Sequence, residues 1–217
     1  MNRTSRCLYC GKEIESHSVE KMRDGWHNRC VRRFFGTGKL PMLELTKERL
    51  EELANQAVTR GLTVPGVQKK LSLHLSQEER ELRMTIVDYP AGFILKPPTE
   101  EYTGLPEYED LTMRLARLAG VQTVEHALMR TEIGLAYVTR RIDRQTTAGV
   151  TKSYAMEDFC QLGGRLTQDK YRGSYEQCAK IIKRYSDTPG IDLSELYLRL
   201  VLSFVTGNSG MHLKIFH

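Results

Sequence analysis

The chain has 217 residues, 40% hydrophobic and 27% charged, enough apolar material for one sizeable core, and this excludes a disordered polymer. Its 32 Lys and Arg against 27 Asp and Glu leave a net charge of +5, but both signs are spread along the sequence, so charge alone does not mark a nucleic-acid binder. Arg3 and Arg6 lead into Cys7 rather than an apolar run, and no later stretch is long enough to span a bilayer, so a cytoplasmic address without a membrane partner is expected.

In that reducing setting the five cysteines are expected as thiols or metal ligands rather than disulfides. Cys7 and Cys10 form a CxxC pair on a turn completed by Gly11, and His27 and Cys30 form a second pair after a polar loop. Three thiolates and one imidazole match the tetrahedral shell of a structural Zn²⁺ site, with His17 as a rival ligand. A segment this polar would otherwise struggle to fold, and a closed shell leaves no open position for chemistry.

The spacing of Leu50, Leu53, Ala54, Ala57 and Val58 predicts an amphipathic helix from Thr46 to Arg60, stopped by Gly61. Leu71, Leu73 and Leu75, and then Leu82, Met84 and Ile86, alternate with polar residues, which predicts two paired strands; Phe93-Ile94-Leu95-Lys96 reads as a third. Pro106 opens a helix through Leu111, Leu115 and Leu118 to Gly120, and strands are expected from Val124 to Met129 and Gly134 to Ile142. Met156 to Leu162, Tyr175 to Tyr185 and Leu193 to Thr206 read as helices, the last two separated by Pro189-Gly190. The order gives an α+β fold, a mostly antiparallel sheet followed by helices, with a cleft expected between the two parts.

Lys96 closes an apolar strand, and Glu107 and Glu109 follow in the first turns of the next helix, the order in which kinases pair a strand lysine with a helix glutamate. Thr63-Val64-Pro65-Gly66-Val67-Gln68-Lys69-Lys70 precedes the first strand, where backbone N–H groups and lysines could meet phosphate oxygens.

Taken in order, Thr63 to Gln68, Lys70-Leu71-Ser72, Ile94 to Pro98, Leu105-Pro106-Glu107-x-Glu109, Thr139 to Arg144 and Gly207-Asn208-x-x-Met211-His212-Leu213-Lys214 resemble HipA-type serine/threonine kinase toxins. The likeness is to the short branch with an amino-terminal Cys/His knuckle, and runs from about Cys7 to Phe216. It implies a protein-kinase-like N-lobe sheet with an incomplete helical C-lobe, ATP with Mg²⁺, and a helix-turn-helix antitoxin partner of HipB type. It also implies aminoacyl-tRNA synthetases among the protein substrates of active relatives, and DNA reached only indirectly through the antitoxin. The expected division is residues 1–38 as the knuckle and 39–217 as the kinase-like domain, its N-lobe running to about 145 and its partial C-lobe from 146 to 217.

By this resemblance Gly66, Val67 and Gln68 would cover the phosphates, Lys96 would contact them with Glu107 or Glu109 as its partner, and Arg140, Arg141 and Ile142 would form the edge facing adenine. Thr63 and Ser72 are the hydroxyls nearest the phosphate loop, where relatives autophosphorylate. The family's terminal loop reads Gly-Asn-x-Asp-x-His-x-Lys-Asn-Phe. Here Gly210 stands at the aspartate and Ile215 at the Mg²⁺-binding asparagine, while His212 and Lys214 remain. Glycine offers no carboxylate and isoleucine no oxygen for a hard cation, so phosphotransfer is expected to be absent.

In the last helix Leu196, Leu200, Val201 and Phe204 form an apolar stripe expected to lack partners. Three readings therefore stand: a truncated or altered copy of a HipA-type kinase, a pseudokinase-like regulator that binds nucleotide or antitoxin without catalysis, and a zinc-knuckle nucleic-acid protein. With aromatics at 8% and not interleaved with a basic stripe, the third is the weakest.

Overall fold

The computed structural model describes residues 5–14, 22–52, 70–78, 81–87, 91–147, 150–208 and 210–213. Its contacts divide the chain into two compact units, one of residues 1–113 with 124–152 and one of 114–123 with 153–217.

The first unit opens with a turn at Cys7 to Gly11, closed by the Gly11 N–H donating to the Cys7 carbonyl (2.8 Å). Gly11 sits at φ 72°, a left-handed conformation that a side chain would strain. A two-stranded ribbon, β1 (Met22–Arg23) and β2 (Trp26–His27), follows and runs directly into α1 (Asn28–Phe35), which ends at Gly36 with φ 74°.

The main sheet is antiparallel, with strands β3 (Leu71–Glu78), β4 (Glu81–Val87), β5 (Phe93–Lys96), β6 (His126–Thr131) and β7 (Gly134–Arg140) in the order β4-β3-β5-β7-β6. Alternation along each strand splits it into two faces. One face carries Leu73, Met84, Phe93, Leu95, Ala127, Met129, Ala136 and Val138, all buried against Trp26, Val31, Phe34, Phe35 and Leu45. Aromatic rings knit the two layers: Phe34 lies 5.6 Å from Trp26 and 5.8 Å from Phe93, in the tilted geometry that ring quadrupoles favour.

This packing alters one expectation. The amino-terminal segment has apolar support, because Tyr9, Trp26, Phe34 and Phe35 enter the same core as the sheet. The Leu128 N–H also donates to the Leu8 carbonyl across 3.1 Å, tying the first turn to β6.

The second sheet face carries Lys96, Tyr137 and His126, with α2 (Leu105–Leu118) supplying carboxylate partners to Lys96 and His126. After β7 a short hairpin, β8 (Arg144–Thr147) and β9 (Val150–Ser153), completes this unit; its alternation is too brief to stand out in the sequence.

The second unit is helical: α3 (Phe159–Leu162), a single 3₁₀ turn at Thr167–Asp169, α4 (Tyr175–Tyr185) and α5 (Pro189–Val205). Asp158 with Gln161, and Ser174 with Gln177, form capping boxes that satisfy the first N–H groups of α3 and α4. The first of these starts the helix at Phe159 rather than Met156. Pro189 does not merely separate the last two helices: it is inside α5, near its start, where a missing N–H costs nothing, so α5 begins four residues before Leu193. Phe159, Cys160, Cys178, Ile182, Leu196 and Leu213 form its core.

The expected stripe on α5 divides. Leu196 is buried and Leu200 packs beside it, whereas Tyr197 is 70% and Phe204 is 89% exposed, with Val201 and Val205 also exposed. Of the predicted helix from Thr46 to Arg60, residues 47–52 are helical and the rest lies outside the described residues.

Candidate functional site

The first unit brings together two constellations of chemically capable side chains. The first is the Cys/His cluster. The Sγ atoms of Cys7, Cys10 and Cys30 and a ring nitrogen of His27 lie within 4.8 Å of one another, because the CxxC turn and the β2-α1 junction place their pairs side by side. His27 Nδ1 is 3.5 Å from Cys10 Sγ and 3.7 Å from Cys30 Sγ. A tetrahedral zinc with Zn–S of about 2.3 Å and Zn–N of about 2.0 Å has ligand-to-ligand edges of roughly 3.6 Å, so these spacings fit that shell.

The ring is also held from behind. His27 Nε2–H donates to the Glu13 carbonyl at 3.3 Å, which leaves Nδ1 free to face the thiols, the arrangement usual for a ligating histidine. Electrostatics point the same way. Burial and the negative charge of neighbouring thiolates push Cys30 up to about 12. For Cys10 burial acts upward too, but it is outweighed by hydrogen bonds from the Lys12 backbone and from the Cys30 and Cys7 thiols, which pull its thiol below the ordinary value. Crowded thiols of this kind give up their protons when a divalent cation binds. His17, the rival ligand, lies outside the described residues.

The second constellation lies on the other sheet face. Lys96 ends β5 and forms an ion pair with Glu109 of α2. The Lys96 ammonium also sits 5.4 Å from the ring centroid of Tyr137, its neighbour across β5 and β7. The lysine's partner is Glu109; Glu107, taken with Lys96 among the candidate site residues, is exposed. The helix explains the choice. Pro106, Asp110 and Ala116 are its buried positions, and at about 100° per residue Glu109 flanks that face while Glu107 turns outward beside Tyr108 and Leu111.

Arg140, Arg141 and Ile142 follow from the end of β7. The backbone N–H of Arg140 donates to Glu125 and that of Arg141 to Gly92, each at 2.9 Å, and Ile142 is exposed. The Arg141 guanidinium is committed to buried Asp143 through Nε at 2.8 Å and a terminal nitrogen at 2.5 Å, and Arg144 adds a third contact at 2.8 Å. The Arg141 hydrogen bond, opposed by burial and aided by both guanidinium charges, holds the Asp143 carboxyl below its usual range.

The terminal loop belongs to the second unit. The Gly210 N–H donates to Asn208 Oδ1 at 3.0 Å, a tight turn in which a Cβ on residue 210 would lie 3.1 Å from that oxygen. His212 meets Tyr171 edge to face at 5.0 Å, and Leu213 is buried, its carbonyl accepting from the Phe159 N–H. Gly66, Val67, Gln68, Lys214 and Ile215 lie outside the described residues.

Asp110, His126 and Tyr137 were not anticipated, and Asp143, inside the Thr139 to Arg144 motif, was given no role. A histidine opening an apolar strand, His126-Ala127-Leu128-Met129, was the one available signal, and it has no fixed spacing to a carboxylate 16 residues earlier.

The HipA-like C-terminal domain family matches residues 62–216. The chain belongs to that family. Among curated proteins it is 32% identical over 170 residues to "Putative kinase Y4mE" of Sinorhizobium fredii, a match covering 76% of this chain and 40% of the relative. It is 30% identical over 172 residues to a "Putative kinase" of Haemophilus influenzae, covering 72% of this chain and 47% of that one. The chain thus spans less than half the length of these relatives. Its fold is similar to a chain of the Shewanella oneidensis MR-1 HipA, HipB and operator DNA complex, with a TM-score of 0.56 and 20% identity over 75% of this chain and 44% of that one. Among the described residues no helix is long and apolar enough to cross a membrane.

Proposed function

We propose that this chain is a HipA-family protein that binds ATP on the Lys96 face of its sheet but does not transfer the phosphate. The observation that carries this reading is the Lys96 to Glu109 ion pair across β5 and α2. A lysine restrained in this way presents a fixed cation to the α- and β-phosphates, and nucleotide binding is mostly positioning and charge neutralisation. Gly66, Val67 and Gln68 would cover the phosphates and Arg140 to Ile142 would edge the adenine, with Arg141 acting through Asp143 rather than as a free cation.

Silence in catalysis follows from the loop chemistry. Gly210 has no carboxylate to orient a hydroxyl, and Ile215 has no oxygen for Mg²⁺, so His212 and Lys214 are left without the groups they would assist. The reading includes residues 1–38 as a Zn²⁺ knuckle on Cys7, Cys10, His27 and Cys30, a kinase-like remainder dividing near residue 145, and a cytoplasmic location. The metal would staple the first turn to α1 and supply no chemistry to the nucleotide. A HipB-type antitoxin is the proposed partner, supported by the make-up of the Shewanella complex.

The test is calorimetric titration of ATP with Mg²⁺, paired with incubation in γ-labelled ATP. Binding that weakens about tenfold or more in Lys96→Ala, with no label entering any polypeptide, is expected. Absence of binding at millimolar ATP would remove the nucleotide site, and incorporation of label into the chain or an added protein would overturn the claim of silence.

A further inference from the structure

Beside the Lys96 and Glu109 pair lies a buried pair that the nucleotide reading does not use. His126, at the start of β6, is 2% exposed, and its Nδ1–H donates to Asp110 Oδ1 at 2.9 Å. Asp110 is itself buried and directly follows Glu109 on α2. The His126 ring packs 5.8 Å from Tyr137, the same ring over which the Lys96 ammonium sits. Two adjacent carboxylates of one helix thus each meet a basic side chain of the sheet, and one tyrosine lies between the two bases.

We propose that Asp110 and His126 are positioning residues that fix the rotation of α2 on the sheet, so that Glu109 is held against Lys96. The proposal rests on the reading of Lys96 as the phosphate-contacting lysine. Its physical basis is the difference in burial. Lys96 and Glu109 are partly open to solvent, with side chains 23% and 25% exposed, and a pair so placed holds its own geometry weakly. Asp110 and His126 are enclosed, so separating them takes the acceptor from a buried His126 Nδ1–H, and a small rotation of α2 is resisted. His126 Nε2 is buried without a hydrogen-bond partner among the described residues. Among the described residues the polar anchoring of the ring therefore comes from Nδ1. Glu109 follows because it shares a helical turn with Asp110 and adjoins it in sequence.

The experiment measures how fast the Lys96 amine is acylated by an N-hydroxysuccinimide ester, read by peptide mass spectrometry with exposed Lys180 as the internal reference. No nucleotide is present, so the outcome is independent of whether ATP binds, and failure of the ATP titration would sink the functional reading alone. Glu109→Gln sets the rate of an unpaired lysine, expected about fivefold above the native protein. His126→Leu keeps volume and loses the donor, and His126→Gln carries its donor at the Nε2 position; both should approach the Glu109→Gln rate. His126→Asn, whose amide can donate from the Nδ1 position, should stay within about twofold of native. Native-like labelling in His126→Gln, or equal acceleration in His126→Asn and His126→Gln, overturns the proposal. Should His126→Leu fail to fold, the Asn and Gln pair still decides.

Discussion

The two units treat apolar residues in opposite ways. In the first, Trp26, Phe34, Leu95 and Val138 are enclosed by an aromatic layer on one side and a five-stranded sheet on the other, with a Cys/His cluster at the margin. In the second, Phe159, Ile182 and Leu196 form a small core while Ile191, Tyr197, Phe204 and Val205 of the same long helix stay exposed. The difference teaches that α5 is apolar on more than one face and that its own unit covers only one of them. Stability should therefore be uneven, with the first unit the more resistant. Trp26 is the single tryptophan, so its fluorescence reports the first unit, while far-ultraviolet ellipticity near 222 nm weighs the helices of the second.

The largest effect should come from the metal. Structural zinc sites of this ligand type contribute about 10 kcal/mol or more to folding in small modules. Cys10→Ser, or chelation, should remove about one zinc per chain by elemental analysis and shift the Trp26 transition far below its native midpoint, while the helical signal changes little. Protein that is metal-free as purified, with an unshifted Trp26 transition, would show that the aromatic layer alone closes the first unit.

A paired truncation tests the cores themselves. Trp26→Ala removes a large side chain from a dense layer and should cost about 3–5 kcal/mol, whereas Leu196→Ala in the sparser helical core should cost about 2–4 kcal/mol. Native-state hydrogen exchange read by peptide mass spectrometry, over β5 to β7 for Trp26→Ala and over α4 and α5 for Leu196→Ala, gives the two values. A greater loss in Leu196→Ala than in Trp26→Ala would reverse the order of the units.

What the sequence made legible follows the same division. Strands β3 and β4 were readable because their alternation is strict and carries Leu73 and Met84 into the core: Leu71, Leu73 and Leu75 against Met84 and Ile86 left little choice of register. The zinc candidates were readable because close pairs of Cys and His have few other uses. Choosing between Glu107 and Glu109 was harder, since both sit early in α2 and the decision depends on which side Pro106 and Asp110 bury. The Asp110 and His126 pair could not be read at all: it joins a helix to a strand across a loop, and no local period encodes that separation. Pro189 was misjudged for another reason, because the same residue that halts a helix in its interior starts one at its first turn.

The smallest predicted effect is a pH dependence confined to the first unit. The folded Asp143 carboxyl is held below its ordinary value of 3.8, chiefly by the Arg141 hydrogen bond. For a carboxylate with a depressed folded pKa, the stabilisation is complete above the unfolded value and disappears as pH falls through the folded one. The Trp26 transition should thus lose stability below about pH 4 in the native protein. Asp143→Asn should cost about 1.5–3 kcal/mol at neutral pH, where the charged contacts are lost, and flatten that acid limb. Because other carboxylates titrate in the same window, the readout is the difference between variant and native curves. If both acid limbs fall in parallel, Asp143 carries no proton linkage, and the three contacts from Arg141 and Arg144 orient the chain between β7 and β8 without stabilising it by charge.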